Sequence, residues 1–248
     1  LIKEAHKILL QGVRGEHKTP GEIRKTQNWI GGSSLQDAFF IPPEPNMLPD
    51  LLTDIEKFLH NENLQVPEII RAGIVHYQFE TIHPFLDGNG RTGRLLIILY
   101  LISTGLLNKP VLYISDFFER NRISYYDSLS MVKQTNNITQ WLKFFLSGVI
   151  ETSKNSIKTF EEIIKLKKEV ESKLEKIGKK ATNGQKLLEL LYYQPKVNAQ
   201  IISNELNLSI VTVNSLLKTF VEIGILEEKT GMSRNRYYVF EDYIKIFR

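Results

Sequence analysis

One imidazole, one carboxylate, three glycines and two guanidinium groups fall within twelve consecutive residues, His83-Pro84-Phe85-Leu86-Asp87-Gly88-Asn89-Gly90-Arg91-Thr92-Gly93-Arg94, directly before an apolar run. Each type has a use at a polyphosphate. Glycine lets backbone approach a ligand closely, and the unpaired N–H groups and dipole of a helix start attract anions. Arg91 and Arg94, three apart, offer bidentate partners for phosphate oxygens. Asp87 suits Mg²⁺, which takes one or two carboxylates and completes its shell with substrate oxygens. His83, four residues before Asp87, has an ordinary pKa of about 6.5 and suits removal of a hydroxyl proton. The segment therefore reads as a polyphosphate cradle with a base at its edge. It is not a P-loop, because G-x-x-x-x-G-K-[ST] occurs nowhere in the chain. Nor is it a dinucleotide fingerprint, because no strand precedes the glycines.

Helical patterns surround this segment. Leu1, Ala5, Ile8 and Leu9 have helical spacing, as do Leu51, Leu52, Ile55 and Leu59. Residues 67–81 form a further helix with Pro67 at its first turn. The run 95–106 is apolar almost all round and predicts a helix buried at the centre of a helical domain. Residues 125–131 and 139–149 continue the helical reading. Between 12 and 49 glycines and prolines recur, and Gly31-Gly32 predicts a hairpin turn joining residues 27–32 to a returning strand at 38–41. His76 is expected to pack in the core seven residues before His83, and His6, His17 and His60 show no metal spacing.

The 248 residues include no cysteine, which excludes disulfides, a thiolate nucleophile and Cys-ligated zinc or iron–sulfur clusters. The longest apolar run, Leu95 to Ile102, has eight residues, against the roughly 20 of a membrane helix. With no signal peptide at its start, the chain is expected to be cytoplasmic with no membrane partner. The net charge of +4 is local: residues 151–181 hold nine Lys against six Glu, while residues 1–150 hold 15 basic and 15 acidic side chains. The predicted organisation is a catalytic domain over 1–150, a charged, solvated linker helix over 151–181 ended at Gly178, and a third part over 182–248. That last part reads as three helices, 185–193, 198–206 and 209–223 with Ser209 as N-cap, followed by a β-hairpin, and resembles a winged helix-turn-helix.

The twelve-residue segment resembles the signature of the Fic family, H-P-F-x-[DE]-G-N-G-R-x-x-R, at every defined position. Pro20 to Arg24 through Asn28-Trp29-Ile30-Gly31-Gly32 is similar to the family's approach to its flap hairpin. Asn121-Arg122 and Tyr125-Tyr126 are similar to its nucleotide-side segment, so the likeness covers roughly residues 1–150. It implies a mainly α-helical Fic-type bundle with a small β-hairpin flap. It also implies transfer of AMP from ATP to a Ser, Thr or Tyr hydroxyl of a target protein, releasing pyrophosphate. On this resemblance His83 is the general base, Phe85 anchors the loop, and Asp87 holds Mg²⁺ against the α- and β-phosphates. Gly88, Asn89 and Gly90 form the anion hole, Arg91 and Arg94 bind the β- and γ-phosphates, and Thr92 and Gly93 complete the segment. Asn121, Tyr125 and Tyr126 line the adenine and ribose side, and core packing explains the two tyrosines nearly as well. Ile30, Gly31 and Gly32 pair with the target peptide by strand addition.

Two rival readings stay open. One is a DNA-binding regulator or interaction protein whose Fic domain holds nucleotide without turnover, against which the intact His83 argues. The other is an enzyme moving a different nucleotide or phosphoryl group. Many Fic proteins are held off by a helix bearing [ST]-x-x-x-E-[GN], whose Glu pairs with the second motif arginine, here Arg94. Glu62-Asn63 fails that pattern, because Phe58 stands four before Glu62. The chain opens on Leu1 rather than Met, so the inhibitory helix is expected upstream of Leu1 or in a partner protein. The other expected partners are a second copy in a homodimer and DNA at the winged helix, through Thr212, Asn214, Ser215, Lys218, Arg234 and Arg236.

Overall fold

Apolar side chains at helical spacing make most of this chain helical, 63% of it, with one small three-stranded antiparallel sheet. The computed structural model describes residues 1–13, 15–178, 181–232 and 236–247. It divides into two compact units, Leu1–Lys154 and Asn155–Arg248.

The first unit contains α1 (Ile2–Leu9), α2 (Leu48–Leu59), α3 (Glu68–Ile82), α4 (Asn89–Ser103), α5 (Ile114–Arg120) and α6 (Arg122–Thr135), and α7 (Thr139–Glu175) starts in it. Helices α3 and α4 are apolar round most of their circumference and lie between two clusters. On one side Leu48, Ile55, Val75, Phe79, Ile82 and Leu96 close over Phe85, which is fully buried. On the other, Ala72, Ile97 and Leu101 meet Phe117, Phe118, Trp141 and Phe145. Gly73 lets α7 approach α3: Trp141 Nε1 donates to the Gly73 carbonyl at 2.8 Å, and a Cβ there would lie 2.8 Å from Phe145. The hairpin expected between 27 and 41 is reduced to one antiparallel pair, Ile30 with Phe40. Its turn is closed by Asp37, whose carboxylate accepts from the backbone N–H and hydroxyl of both Ser33 and Ser34.

Helix α4 starts at Asn89, six residues before the apolar run that predicts it, so the second half of the motif lies in its first turns. The cause is Gly88, whose φ of +79° turns the chain into the helix at a cost only glycine avoids. The charged stretch expected as a separate linker helix from 151 is instead the continuation of α7, since neither Gly nor Pro interrupts 149–177. Its apolar stripe divides: Ile157, Phe160 and Ile164 are exposed, whereas Leu166, Val170 and Leu174 pack into the core of the second unit.

That second unit adds α8 (Ala181–Tyr193), β1 (Lys196–Asn198), α9 (Ala199–Leu206), α10 (Ile210–Glu222), β2 (Glu227–Glu228), β3 (Tyr237–Val239) and α11 (Glu241–Lys245). The strand order is β1-β3-β2, with Tyr238 facing Val197 on one side and Glu228 on the other. Asn198 and Ser209 cap α9 and α10, accepting from the N–H of Ile201 and Thr212. Leu187, Leu188, Leu191, Leu216, Leu217, Phe220 and Phe240 fill an apolar core. Arg234 lies outside the described residues.

Candidate active site

His83 ends α3 in the left-handed conformation, φ 48° and ψ 62°, a strained setting for a residue with a Cβ. Arg24 over-determines it. That arginine is buried, its backbone N–H donates to the Pro84 carbonyl at 2.9 Å, and its Nε donates to the His83 carbonyl at 2.9 Å. The rest of its guanidinium donates to the carbonyls of Thr26 and Ile82. Asn28 adds a bond from Nδ2 to the Phe85 carbonyl at 3.1 Å. The segment leading to the flap therefore also holds the turn that aims His83.

The His83 ring is half-buried, and Nδ1 lies 3.3 Å from the Glu80 carbonyl. A carbonyl can only accept, so Nδ1 carries the proton and Nε2 keeps its lone pair. Burial, with the charges of Arg24 and Lys133, pushes the His83 pKa down to about 4, so the ring is neutral at ordinary pH. Lys133 itself sits 2.8 Å over the Phe40 ring at the flap, and desolvation lowers its pKa to about 8.

Beyond Phe85 the loop braces itself. The Asn89 side chain accepts from the Phe85 N–H at 2.9 Å and donates to the Phe85 carbonyl at 2.8 Å. Asn89 is thus turned inward, and what it can offer an anion is its backbone N–H. The Asp87 carboxylate accepts from the Gly88 N–H at 2.6 Å and lies 3.9 Å from the Arg91 guanidinium. The N-cap of α4 is Gly88, which has no side chain to cap it, and the positive end of the helix dipole faces the same space. Thr92 spends its hydroxyl on the Gly88 carbonyl, and Gly93 faces α3, where a Cβ would meet Glu80 Oε1 at 2.5 Å. Both serve packing of the helix start. Arg94 makes no ion pair among the described residues.

Behind Arg94 lies a buried polar group. His76 is fully buried, bonds the Tyr125 hydroxyl through Nε2 at 2.9 Å and stacks on Trp141. Desolvation pushes its pKa down to about 4. Glu80 is half-buried, with its Oε1 buried and without a hydrogen-bond partner among the described residues, and desolvation raises its pKa to about 7 against the pull of Arg94. Tyr125 therefore stands in the aromatic core, Tyr126 is 41% exposed beside it, and Asn121 bonds the Phe117 carbonyl between α5 and α6. Gly31 and Gly32 sit at the exposed flap turn, with Ile30 at its one paired position. The structure thus brings His83, Asp87, Gly88, Gly90, Arg91 and Arg94 to one loop and helix start.

Sequence reasoning gave two residues no role at this loop. His6 in α1 is fully buried against the loop: its ring stacks on Phe85 at 3.7 Å and Nε2 lies 2.8 Å from the Asp87 carbonyl. Arg24 is the other. No local signal distinguishes either from a surface residue, because their partners lie 81 and 59 residues away.

Among the described residues no three His, Asp or Glu side chains gather as a metal cage. A cation at Asp87 would accordingly be shared with phosphate oxygens, as Mg²⁺ is at such sites.

Residues 1–101 match the Fic/DOC family. A probable protein adenylyltransferase of Aquifex aeolicus is 31% identical over 154 residues, 59% of this chain and 43% of the relative. A protein adenylyltransferase Fic of Culex quinquefasciatus is 35% identical over 125 residues, 50% of this chain and 22% of the relative. The chain thus spans less than half the length of these curated relatives. A Fic family protein from Desulfovibrio desulfuricans G20 shares the fold, with a TM-score of 0.56 at 22% identity, covering 96% of this chain and 67% of that one.

Proposed function

Residues 1–101 being a Fic/DOC family domain, we propose that this chain is a protein adenylyltransferase that moves AMP from ATP to a hydroxyl side chain of a target protein. The observation that carries the proposal is the pairing of a neutral His83, its Nε2 lone pair free of the Glu80 contact, with an uncapped helix start bearing Asp87, Arg91 and Arg94. The target oxygen attacks the α-phosphorus while its proton passes to His83 Nε2. The bond from the α-phosphorus to the bridging oxygen breaks, and pyrophosphate leaves. Little covalent work falls to the protein in such a transfer, so positioning and charge stabilisation dominate. Arg91, Arg94 and the first amides of α4 hold the outgoing phosphates. Asp87 would hold Mg²⁺, which neutralises phosphate charge when bound. The exposed edge at Ile30 and Phe40 supports presentation of a Ser, Thr or Tyr as an added strand. Asn121 and Tyr126 flank the side where the adenosine would lie.

Incubation of the purified chain with ATP labelled on the α-phosphate and a cell lysate tests this. Label is expected on protein with the wild type, and about 10²- to 10⁴-fold more slowly with His83→Ala, the usual contribution of a positioned base. Equal labelling by both overturns the assignment of His83. Label from the γ-phosphate instead favours phosphoryl transfer.

Arg94, with no ion pair among the described residues, is placed to meet a competing carboxylate from an inhibitory helix. For the second unit, the capped α10 and the β-hairpin support a winged helix-turn-helix. Its exposed face is mixed in charge: Lys218 pairs with Glu222 at 3.8 Å and Arg236 donates to the Met232 carbonyl. This favours a protein contact over the phosphate contacts that dominate DNA affinity.

A further inference from the structure

His6 lies on α1, outside the motif, yet it lies against Phe85, Asp87 and Gly88 of the loop. Its ring is parallel to that of Phe85, 3.7 Å away with an interplanar angle of 5°. Its Nδ1 lies 2.8 Å from the Gly21 nitrogen, and its Nε2 lies 2.8 Å from the Asp87 carbonyl oxygen. A Cβ added to Gly88 would lie 3.3 Å from Nε2. The two hydrogen bonds specify one tautomer. The Gly21 N–H can only donate, so Nδ1 accepts, and the Asp87 carbonyl can only accept, so Nε2 carries the proton.

The bond to Asp87 has a further effect. Its carbonyl and the Gly88 N–H belong to one rigid peptide plane, and that N–H donates to the Asp87 carboxylate at 2.6 Å. Holding the carbonyl therefore fixes the plane, the direction of the carboxylate and the start of α4. Removing the bond releases all three, because Gly88 has no Cβ to restrict its rotation.

We infer that His6 is a positioning residue for the transfer reaction, setting the Asp87–Gly88 peptide plane through its Nε2–H while its Nδ1 ties the loop to the segment that leads to the flap. This rests on the proposed adenylyltransferase reading for its kinetic consequence, and on geometry alone for its structural one.

Three variants and one spectrum test it. His6→Phe keeps the stack and loses both hydrogen bonds; it should lower kcat about 10- to 100-fold, as loss of an outer partner of a metal-binding carboxylate does, with the KM for the target protein unchanged. His6→Gln carries an N–H donor toward Asp87 and should recover part of kcat, whereas His6→Asn, placing an acceptor near Gly21, should not. Wild-type kcat in a folded His6→Phe, or equal rates for Gln and Phe, overturns the inference. The spectrum uses the wild-type chain, so it is unaffected if the variants fail to fold. Nitrogen-15 NMR of the histidines should show His6 protonated on Nε2 and bare on Nδ1, with the Gly88 amide protected from hydrogen exchange. The opposite tautomer or an unprotected Gly88 amide refutes it. Should the wild type transfer no AMP, the proposed function falls while the spectrum still decides the place of His6.

Discussion

The two units stabilise themselves differently. In the second, the buried cluster of Leu187, Leu188, Leu191, Val197, Ile202, Leu216, Leu217 and Phe220 is apolar; Asn198 and Ser209 work as caps, and the Tyr192 hydroxyl is buried at its margin. In the first, His6, Arg24, Arg71, His76, Asn89, Thr92 and Thr152 are buried beside the aromatic and aliphatic core. Burying a polar group costs free energy unless every partner is supplied. The second unit shows that this sequence can build a core without such groups. Their concentration around residues 82–93 in the first therefore marks a place where shape, and not stability alone, is being specified. His83 sits in a left-handed conformation and Phe85 to Asn89 form a self-bonded loop, and a purely apolar lining could fix neither.

The largest stability effect is expected in the apolar unit. Leu187→Ala removes a fully buried side chain and should cost about 2–5 kcal/mol, read as a fall in the denaturation midpoint. A negligible cost would mean that this core is loosely packed and the contrast ill-founded. Next is Arg24→Met, which removes the guanidinium donor from the carbonyls of Ile82 and His83, the latter keeping only Asn28 Nδ2 at 3.5 Å. It should cost about 2–3 kcal/mol and slow AMP transfer more than the loss of stability explains. If the variant is stable and active, the polar bracing of the loop is dispensable.

Acid should separate the units further. All five histidines lie in the first. The pKa values of His76 and His83 fall from about 6.5 unfolded to about 4 folded, so between those values the unfolded chain binds more protons and stability declines as pH drops. Glu80 opposes this: its pKa, raised to about 7, makes the folded carboxyl the better proton binder between 4.5 and 7. Two histidines outweigh one glutamate, so a net loss is expected. Hydrogen exchange at pH 7 and pH 5 should show amides of α3 and α4 losing protection while those of α10 keep theirs. Equal behaviour of the two would break the comparison. The smallest effect belongs to Ser209→Ala, which removes the cap of α10. It should lower stability by about 1 kcal/mol in thermal unfolding.

Much of this was legible where the signal is local. The apolar spacing of 51–59 and 67–81 marks α2 and α3, and Ser209 caps α10 as expected. The types and order of His83, Asp87, Gly88, Arg91 and Arg94 point to phosphate chemistry before any fold is known. Helix α5, with seven residues, and β1, with three, are too short to show a period. The apolar run begins only at Leu95, so the start of α4 at Asn89 is marked not by apolar spacing but by Gly88, whose positive φ turns the chain into the helix.

By itself, then, the sequence determined that the chain is mainly helical and which twelve consecutive residues bring imidazole, carboxylate, glycine and guanidinium groups together, because both follow from side-chain type and short-range spacing. Which nitrogen of His83 is free, which way Asn89 turns, and that His6 and Arg24 belong to the site at all were decided by tertiary structure. Those properties depend on carbonyls and amides brought together from α1, the flap approach and the end of α3, and no spacing along the chain encodes such a meeting.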